Sequence, residues 1–213
     1  MRAAIVGISG NVGREFDRLN RADFQVVCGF DESKPLSDCK APDFDVIIEF
    51  ATPEATEKTL DFALEYGIPV VIGTTGHSER QLKKIEQTAK SVAVALAPNY
   101  SVGAFALKKA AVLLAETLPK CEKTLIETHR TGKRDAPSGT AKQLSAAVGG
   151  AVTVSVRRGD QAGIHELIFD MESESVTLVH RAESRRVFAL GAVKAAEKLV
   201  GFAPGLYAEE DFF

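Results

Sequence analysis

The sequence predicts an α/β protein in which an N-terminal Rossmann-type parallel sheet is accompanied by a smaller domain of mixed α/β structure. Two observations support this fold class. The first half of the chain alternates short apolar runs with helical patterns, which is typical of parallel α/β sheets. After Pro98, runs that alternate apolar and polar residues are typical of antiparallel strands. We expect one domain to comprise residues 1–100 plus 186–213 and the other to comprise residues 101–185.

In the first domain, each apolar run predicts a strand and each amphipathic run predicts a helix. The predicted strands are Ala3–Gly7, Phe24–Phe30, Val46–Phe50, Pro69–Gly73 and Val92–Ala97. The predicted helices are Asn11–Asn20, Pro53–Tyr66 and Glu79–Lys90. Thr52 stands directly before the second helix, where its hydroxyl can accept a hydrogen bond from a free backbone N–H group and cap the helix.

The second domain is predicted to combine long helices with strands of alternating pattern. The predicted helices are Val102–Leu118 and Ser138–Val148. The predicted strands are Thr124–Glu127, Val152–Val156, Glu166–Asp170 and Ser175–Arg181, of which the last three have an antiparallel pattern. The final helix, Arg186–Val200, contains a stretch of small residues and is expected to pack back on the first domain.

The composition is that of an ordinary soluble globular protein. Hydrophobic residues make up 45% and charged residues 26% of the 213 residues. The net charge of −3 argues against a general nucleic-acid binder, which would carry a basic excess. No apolar stretch approaches the roughly 20 residues of a membrane span, so we expect no membrane association.

The cysteines and the first residues indicate the compartment. Cys28, Cys39 and Cys121 lack the spacing of a metal or redox site, and their odd number speaks against a disulfide framework. We therefore predict no metal site. The chain opens on a strand pattern instead of a charged-then-apolar leader, and we expect a cytoplasmic protein.

A glycine-rich turn follows the first predicted strand and opens the first predicted helix. Rossmann units place a pyrophosphate on the free N–H groups of such a helix start. The predicted cofactor contacts are Gly7, Ile8, Ser9, Gly10, Asn11 and Val12, followed by Gly13. The spacing is GxxGxxG, less common than GxGxxG, and a tight turn without a ligand would explain the same glycines.

Two acidic residues at the end of the second strand bear on the choice of cofactor. Asp31 stands where an acid takes up the ribose hydroxyls of a bound dinucleotide. The next residue is Glu32, at a position where a 2′-phosphate would favour Arg or Lys. We therefore expect NADH to be favoured over NADPH.

Two further segments follow predicted strands, at the ends where open α/β sheets bind ligands. They contribute Gly73, Thr74 and Thr75 after the fourth strand, and Ala97, Pro98, Asn99 and Tyr100 after the fifth. We predict that both reach the nicotinamide half of the cofactor, with Tyr100 offering a flat ring face and Asn99 an amide. Ordinary turns would have the same composition, so that alternative stays open.

The most informative segment is the run of residues 127–141. It contains His129, then Lys133, then a Pro-Ser-Gly-Thr turn that opens a predicted helix. Imidazole and ammonium groups can exchange protons near neutral pH. Gly139 and Thr140, at the helix start, offer N–H groups and a hydroxyl to an anion. The segment predicts an enzyme that protonates a bound carboxylate substrate.

Basic residues are concentrated around this segment. Between His129 and Arg158 the cations are Arg130, Lys133, Arg134, Lys142, Arg157 and Arg158, against the single acid Asp135. This excess suits a small anionic ligand, although solvated charges on a loop and a helix explain it equally well. We predict structural or peripheral roles for His77, His165 and His180. Arg185 is left open between a substrate contact and an ion-pair partner.

Taken together, these segments resemble the dihydrodipicolinate reductase family, also called the 4-hydroxy-tetrahydrodipicolinate reductases. The resemblance runs nearly from end to end, and at 213 residues the chain resembles a compact member. Residues 127–141 carry it most specifically, because Lys-x-Asp-Ala-Pro-Ser-Gly-Thr-Ala after a histidine is characteristic of that family. The other matching segments are Gly7–Gly13, Phe50–Glu54, Gly73–Gly76, Ala97–Gly103 and Arg181–Arg185 with Phe188.

The resemblance implies a reaction and roles for individual residues. The reaction is NAD(P)H-dependent reduction of 4-hydroxy-tetrahydrodipicolinate, the cyclic dicarboxylate formed from pyruvate and aspartate semialdehyde, in the diaminopimelate route to lysine. His129 matches the proton donor and Lys133 the second catalytic position. Gly139 and Thr140 match the pair that binds a substrate carboxylate. A homotetramer, built through the sheets of the second domain, is also implied.

One position departs from the family pattern. The motif usually has two adjacent histidines, of which the second is a substrate contact, and here that position is Arg130. A guanidinium can also meet a carboxylate, and can do so bidentately. We therefore expect Arg130 to bind substrate and to alter the affinity and the pH profile more than the reaction.

Two other functions remain as alternatives. One is a dehydrogenase of another amino or imino acid on the same two-domain plan. The other is a catalytically silent NAD(H)-binding module that senses the redox state of the cofactor. The intact pair of His129 and Lys133 argues against the silent module, because a sensor has no use for proton donors beside an anion site.

Overall fold

The chain forms two compact units. The computed structural model describes residues 1–19, 22–40, 42–118 and 120–213. The first unit comprises Met1–Tyr100 and Phe188–Phe213, and the second comprises Ser101–Val187. Within the described ranges, no helix is long and apolar enough to cross a membrane.

The first unit is built on a six-stranded sheet in which every pairing is parallel. Its strands are β1 (Arg2–Val6), β2 (Gln25–Phe30), β3 (Val46–Glu49), β4 (Val70–Ile72), β5 (Ala93–Leu96) and β10 (Gly205–Tyr207). Their order across the sheet is β10-β5-β4-β3-β1-β2. The Rossmann-type sheet expected from the alternating pattern is confirmed. The short strand β10 was not predicted, because only one of its three residues is a large aliphatic side chain.

Helices cover both faces of this sheet. They are α1 (Gly13–Phe16), α2 (Pro53–Tyr66), α3 (Glu79–Thr88) and α6 (Arg186–Leu199). Two apolar clusters lie on opposite faces, one containing Ile5, Ile48 and Leu199 and the other containing Ile47, Ile72 and Leu60. The clusters bury alternate residues of β3, as expected for a sheet that is covered on both sides.

Helix ends follow the local sequence, with one exception. Thr52 caps α2 as predicted, since its hydroxyl accepts a hydrogen bond from the N–H group of Ala55 at 3.3 Å. The first helix is much shorter than the predicted Asn11–Asn20. Gly10 donates to the carbonyl of Gly7 at 2.9 Å, so the first part of that range belongs to the turn. After α1 the chain continues as a 3-10 turn over Asp17–Leu19, and Asn20 lies outside the described residues.

The small-residue stretch of α6 allows a close backbone approach. A Cβ atom at Gly191 would lie 1.6 Å from the carbonyl oxygen of Tyr100. The helix buries Ala189, Ala192, Ala195 and Leu199 in the same cluster as Ile5. Glycine and alanine are therefore required at this contact because larger side chains would push the helix away.

The second unit is a four-stranded mixed sheet with two helices on one face. Its elements are α4 (Val102–Thr117), β6 (Glu122–His129), α5 (Gly139–Ala147), β7 (Val152–Arg157), β8 (Gly163–Asp170) and β9 (Ser175–Ala182). The strand order is β7-β6-β8-β9. Leu125, Leu167 and Phe169 face α4 and α5 in a common apolar cluster. The expected mixed domain is confirmed.

The pairing of β7 differs from the sequence prediction. The antiparallel pattern holds for β8 and β9, but β7 runs parallel to β6. Since α5 lies between β6 and β7 in the chain, it acts as the crossover that brings β7 back in the parallel direction. Alternation of apolar and polar residues indicates that one face of the sheet is buried, but it does not indicate the direction of the strand.

Candidate functional site

The glycine-rich turn after β1 is shaped by close backbone contacts. Gly7 has a φ of +85°, and a Cβ atom there would lie 2.2 Å from the carbonyl oxygen of Phe50. A Cβ atom at Gly13 would lie 2.0 Å from the carbonyl oxygen of Gly7. Only glycine fits both positions. The turn therefore brings the start of α1 close to the end of β1, which is the geometry of a pyrophosphate cradle.

A cavity of about 800 Å³ opens beside this turn. It lies outside the carboxyl ends of β1, β2 and β3, where the strand order reverses and open α/β sheets bind their ligands. Four of the predicted cofactor contacts line it, namely Gly7, Ser9, Gly10 and Asp31. The volume of the cavity and the glycines that line it fit a dinucleotide.

Asp31 is held in an ionised state at the edge of this cavity. Its Oδ1 accepts hydrogen bonds from the N–H group of Ser33 at 2.9 Å, the hydroxyl of Ser33 at 2.7 Å and the N–H group of Lys34 at 3.2 Å. Hydrogen bonds from Ser33 and Ser9 hold the pKa of Asp31 below its usual range. Glu32 lines the same cavity, so two acidic residues face the region where an adenine ribose would lie.

A buried carboxylate ties together the loops that follow β3 and β4. Glu49 is fully buried and accepts hydrogen bonds from the hydroxyls of Thr74 and Thr56 and from the N–H group of Ala51. Thr56 is also hydrogen-bonded to the Nε2 of His77 at 3.0 Å. Burial raises the pKa of Glu49 to about 7, although the hydrogen bonds oppose this rise. Since Ala51 lines the cavity, the network supports one of its walls.

Among the predicted nicotinamide contacts, the prediction for the ring of Tyr100 is wrong. The residue is only 1% exposed, and its hydroxyl donates to the carbonyls of Ile72 (3.1 Å) and Ala95 (3.3 Å). The ring is packed in the core and offers no free face to a ligand, because both its buried position and its hydroxyl contacts lie inside the first unit.

The remaining predicted contacts of the first unit lie outside the cavity. Thr74 uses its hydroxyl within the Glu49 network. A Cβ atom at Gly73 would lie 2.2 Å from the ring of Phe50, so glycine is needed there for packing. The others are Ile8, Val12, Ala97 and Asn99, which are half-buried or buried, and Asn11, Thr75 and Pro98, which are exposed.

In the second unit, the run of residues 127–141 spans the end of β6, a loop and the start of α5. Glu127 is fully buried and His129 is 8% exposed. The Nδ1 of His129 is hydrogen-bonded to one carboxylate oxygen of Glu127. The other oxygen accepts from the Nη2 of Arg157 at 2.7 Å and from the N–H group of Ser138 at 3.3 Å. One carboxylate thus links β6, β7 and the N-cap of α5.

The charges around His129 act in opposite directions. Burial lowers the pKa of His129, the charge of Glu127 raises it, and the charges of Lys133 and Arg157 lower it further. For Glu127 the hydrogen bonds outweigh the effect of burial on the pKa. Burial disfavours its ionisation, but hydrogen bonds from Arg157, Ser155 and His129 lower its pKa to about 2. Glu127 is therefore a permanent anion beside the imidazole.

Lys133 and Arg130 flank this centre. The Nζ of Lys133 forms an ion pair with Asp135 at 2.8 Å, and its side chain is 25% exposed. The N–H group of Lys133 donates to the carbonyl of Arg130 at 3.1 Å, which closes a tight turn. A Cβ atom at Gly132 would lie 2.6 Å from the Nη1 of Arg130, so glycine lets the guanidinium fold over the turn. Both cations lie on the short loop after His129.

The N-terminus of α5 is the candidate anion site. Ser138 caps the helix, with its hydroxyl accepting from the N–H group of Ala141 at 3.2 Å. Gly139 is exposed and Thr140 is half-buried, and nothing lies within 4 Å of the Cβ position of Gly139. Open space in front of a helix N-terminus, where N–H groups and the helix dipole favour negative charge, suits a carboxylate.

The other histidines and Arg185 have partners within their own units. His165 and His180 stand on the same face of the second sheet as His129, because strand register pairs Glu127 with His165 and His165 with His180. Burial lowers the pKa of His165 to about 3, so it stays neutral. Arg185 pairs with Asp160 at 3.2 Å, which favours the ion-pair alternative.

Three residues of these sites, Glu49, Lys58 and Glu127, were given no role from the sequence, and Arg157 was named there only as one of a group of cations. Lys58 lines the cavity beside α1, and it stands one helical turn after Glu54 on α2, a spacing that places both on one helix face. Glu127 stands two residues before His129, and alternation along a strand puts both side chains on one face. That spacing was the available signal. The contact between Arg157 and Glu127 depends on the pairing of β7 with β6, which the sequence did not indicate.

The fold defines a class of protein, the two-unit α/β proteins that combine a Rossmann-type parallel sheet with a second, mixed sheet. The family model described as dihydrodipicolinate reductase, N-terminus, matches residues 1–100. The one described as dihydrodipicolinate reductase, C-terminus, matches residues 103–213. The chain therefore belongs to the dihydrodipicolinate reductase family.

Curated relatives agree with this assignment over the whole chain. The chain is 42% identical over 231 residues to the 4-hydroxy-tetrahydrodipicolinate reductase of Stenotrophomonas maltophilia, with 99% of this chain and 97% of the relative covered. It is 37% identical over 257 residues to the enzyme of the same name from Rubrobacter xylanophilus, at the same coverage. The resemblance predicted from the motifs is confirmed.

Solved structures share the fold. Dipicolinate-bound dihydrodipicolinate reductase from Paenisporosarcina sp. TG-14 superposes with a TM-score of 0.80 at 23% identity, covering 99% of this chain and 98% of that one. Amine dehydrogenase from Mycobacterium smegmatis has a TM-score of 0.65 at 11% identity, covering 97% and 94%. At these identities the likeness concerns the fold alone.

Proposed function

We propose that this protein reduces 4-hydroxy-tetrahydrodipicolinate to tetrahydrodipicolinate with NAD(P)H, in the biosynthesis of diaminopimelate and lysine. The observation that carries this proposal is the set of contacts around residues 127–141, where a buried histidine, a lysine and an open helix N-terminus lie on one short segment. Full-length relatives of the chain carry the name of this enzyme. The dipicolinate bound to the related structure is, like the proposed substrate, a cyclic dicarboxylate.

The first unit is assigned to the cofactor. Bound reduced nicotinamide supplies a hydride to a conjugated carbon of the substrate ring. The N–H groups of the turn at Gly7–Gly13 would hold the pyrophosphate, and Asp31 would accept hydrogen bonds from ribose hydroxyls. The residues after β4 and β5 would position the nicotinamide half through backbone atoms.

NADH is the cofactor we favour. Asp31 and Glu32 both line the cavity, and a 2′-phosphate placed near them would meet like charge. Of the described lining residues, Lys58 is the cation that opposes this repulsion. The balance predicts a preference for NADH with NADPH still accepted.

The second unit is assigned to the substrate and to proton transfer. One carboxylate of the substrate would accept hydrogen bonds from Gly139 and Thr140 at the start of α5, and Arg130 would meet another. His129 would donate the proton that completes the reduction, and Lys133 would stabilise the developing negative charge. The hydroxyl of the substrate leaves as water, so one hydride and one proton account for the change from substrate to product.

A Lys133→Ala variant tests this assignment. We expect kcat to fall on the order of a hundredfold, because a cation beside the developing charge is lost. Titration should show nearly unchanged affinity for NADH, because Lys133 is assigned to the substrate and the proposed cofactor contacts are other residues. Wild-type turnover in the variant would contradict the role given to Lys133. Tight NADH binding without turnover in the wild-type protein would instead favour the silent module.

We also propose that the protein is a homotetramer that assembles through the free face of the second sheet. Strand register places Val152 and Val154 of β7 and Val179 of β9 on the face opposite α4 and α5. They are 70%, 46% and 54% exposed, and the half-buried Ile126 and Ile168 lie between them on the central strands. Strand register also places Glu166 on this face, between Ile126 and Val179, so the face is mainly apolar with one central carboxylate. Exposed apolar side chains of this kind are typical of a protein interface, and a second copy offers a complementary surface.

A cytoplasmic location is proposed on the basis of the thiols. Cys28, Cys39 and Cys121 are free in the structure, and free cysteines are typical of a reducing compartment. Detection of the protein in the cytosolic fraction after cell fractionation is the expected result, and recovery outside the cytosol would contradict it.

A further inference from the structure

We infer that Glu127 is the positioning residue of the proton donor, fixing the ring of His129 so that its Nε2 atom faces the substrate. The inference rests on the proposed function, because it takes His129 as the donor. Glu127 is fully buried, and its carboxylate is hydrogen-bonded to the Nη2 of Arg157, the N–H group of Ser138 and the Nδ1 of His129. It touches neither substrate nor cofactor in this assignment and acts through His129.

The hydrogen-bond donors around Glu127 determine where the proton of His129 lies. A guanidinium and a backbone N–H group can only donate, so Arg157 and Ser138 occupy one carboxylate oxygen as donors. The other oxygen faces the Nδ1 of His129. Since an ionised carboxylate can only accept, this nitrogen must carry a proton in both the neutral and the charged ring. The proton that can leave is therefore the one on Nε2.

The space beside Nε2 is kept open by a glycine. A Cβ atom at Gly163 would lie 3.0 Å from the Nε2 of His129. Any other residue at the start of β8 would crowd the nitrogen that is to donate. The ring is thus held at Nδ1, and the absence of a side chain at Gly163 leaves room beside Nε2, as a general acid requires.

Glu127 is also the anion that offsets the positive charge around His129. Arg157 faces the ring from β7, His165 from β8, and Lys133 and Asp135 from the loop after β6. His165 is neutral, and Asp135 is paired with Lys133. Without the charge of Glu127, burial and the remaining cations would disfavour the imidazolium, which is the form that donates.

The substitution Glu127→Gln separates these roles. Arg157 and Ser138 still require an acceptor, so the amide oxygen must face them and the amide NH₂ must face Nδ1. The Nδ1 of His129 then becomes an acceptor, and the neutral ring moves its proton to Nε2. We expect the pKa of His129 to fall by about one unit or more because the neighbouring charge is gone.

The test combines histidine ¹⁵N NMR with kinetics. His129 is assigned by the loss of its signals in a His129→Gln variant, and its tautomer and pKa are followed by pH titration without substrate. For Glu127→Gln we expect the Nε2–H tautomer and a kcat lower by about tenfold or more. The alkaline limb of the pH–activity profile should move to lower pH, because the donor loses its proton more readily. KM should change by less than about threefold, because the acceptor for Ser138 at the anion site is kept.

Glu122→Gln is the matched control, since it makes the same change on the exposed first residue of β6. It should leave the tautomer, the pKa of His129 and kcat unchanged. A Glu127→Gln protein with wild-type tautomer, pKa and kcat would overturn the inference. If that variant does not fold, the wild-type spectrum decides, because a neutral His129 protonated at Nε2 contradicts the inference by itself. Failure of the proposed reaction would appear as wild-type inactivity and would leave the NMR result interpretable.

Discussion

Two fully buried carboxylates, Glu49 and Glu127, stand in opposite electrostatic situations. Glu127 receives a hydrogen bond from the guanidinium of Arg157, which lowers its pKa to about 2 against the effect of burial. Glu49 has three neutral donors, and burial raises its pKa to about 7. A cation in contact thus outweighs desolvation, whereas neutral hydrogen bonds alone do not. Glu127 serves as a fixed anion, and Glu49 titrates near neutral pH.

At Glu49 the raised pKa predicts a pH-dependent stability. Because the folded-state pKa lies above the unfolded value, its contribution is fully present below about pH 4.5 and is lost as the pH rises through about 7. Glu49→Gln removes this titration. Relative to the variant, the free energy of unfolding of the wild type should fall by about 3 kcal/mol between about pH 4.5 and pH 8. Urea denaturation of both proteins at several pH values measures the difference, and parallel curves would contradict the prediction.

Single residues differ in how far the sequence reveals them. His129 and Lys133 were predicted because their types and spacing already specify proton chemistry. The supporting role of Glu127 and Glu49 was not, because the sequence does not show which of 29 acidic residues is fully buried. The ring of Tyr100 was assigned to a ligand because an aromatic residue that follows a strand can either contact a ligand or pack in the core, and the sequence does not distinguish the two.

Among the elements, α5 is the one whose first turn is proposed to serve both stability and substrate binding. Ser138→Ala removes the hydroxyl that caps α5, and Ser78→Ala removes the corresponding hydroxyl of α3, where Ser78 and Gln81 form a capping box. We expect each variant to lose about 1 kcal/mol of unfolding free energy. Only Ser138→Ala should also raise KM for the cyclic substrate severalfold, because fraying of α5 disorders the N–H groups that hold a carboxylate.

Denaturation and steady-state kinetics on this pair of variants separate the two effects. An increase of KM in Ser78→Ala as large as in Ser138→Ala would show that the change reflects general destabilisation. An unchanged KM in Ser138→Ala would remove α5 from the anion site.

Element types were predictable to a greater extent than their lengths and directions. Periodicity identified α2, α3 and α4 closely, since each has a covered face and a cap or stop in the sequence. The short α1 was overestimated because Gly10 and the residues after it serve the turn. The parallel direction of β7 depends on the crossover through α5, which is a property of the topology and leaves no local pattern.

At the scale of the whole molecule, the free face of the second sheet predicts the assembly. Val154→Asp places a charge in the centre of one edge of this face, and it should shift the protein from a tetramer to smaller species because a buried charge without a partner is costly. Leu113→Asp is the control, since Leu113 is 63% exposed on α4, away from that face. Sedimentation velocity gives the masses relative to the 22.8 kDa chain. A monomeric wild type, or equal dissociation in both variants, would contradict the proposed interface.

The most direct test of the proposed function follows the loss of reduced-nicotinamide absorbance with freshly generated cyclic substrate, using NADH and NADPH in parallel. We expect rapid oxidation of the cofactor, formation of tetrahydrodipicolinate, and a higher kcat/KM for NADH because Asp31 and Glu32 line the cofactor cavity. No oxidation of either cofactor by folded protein that still binds dinucleotide would contradict the assignment, and activity with another amino or imino acid would then identify a different dehydrogenase.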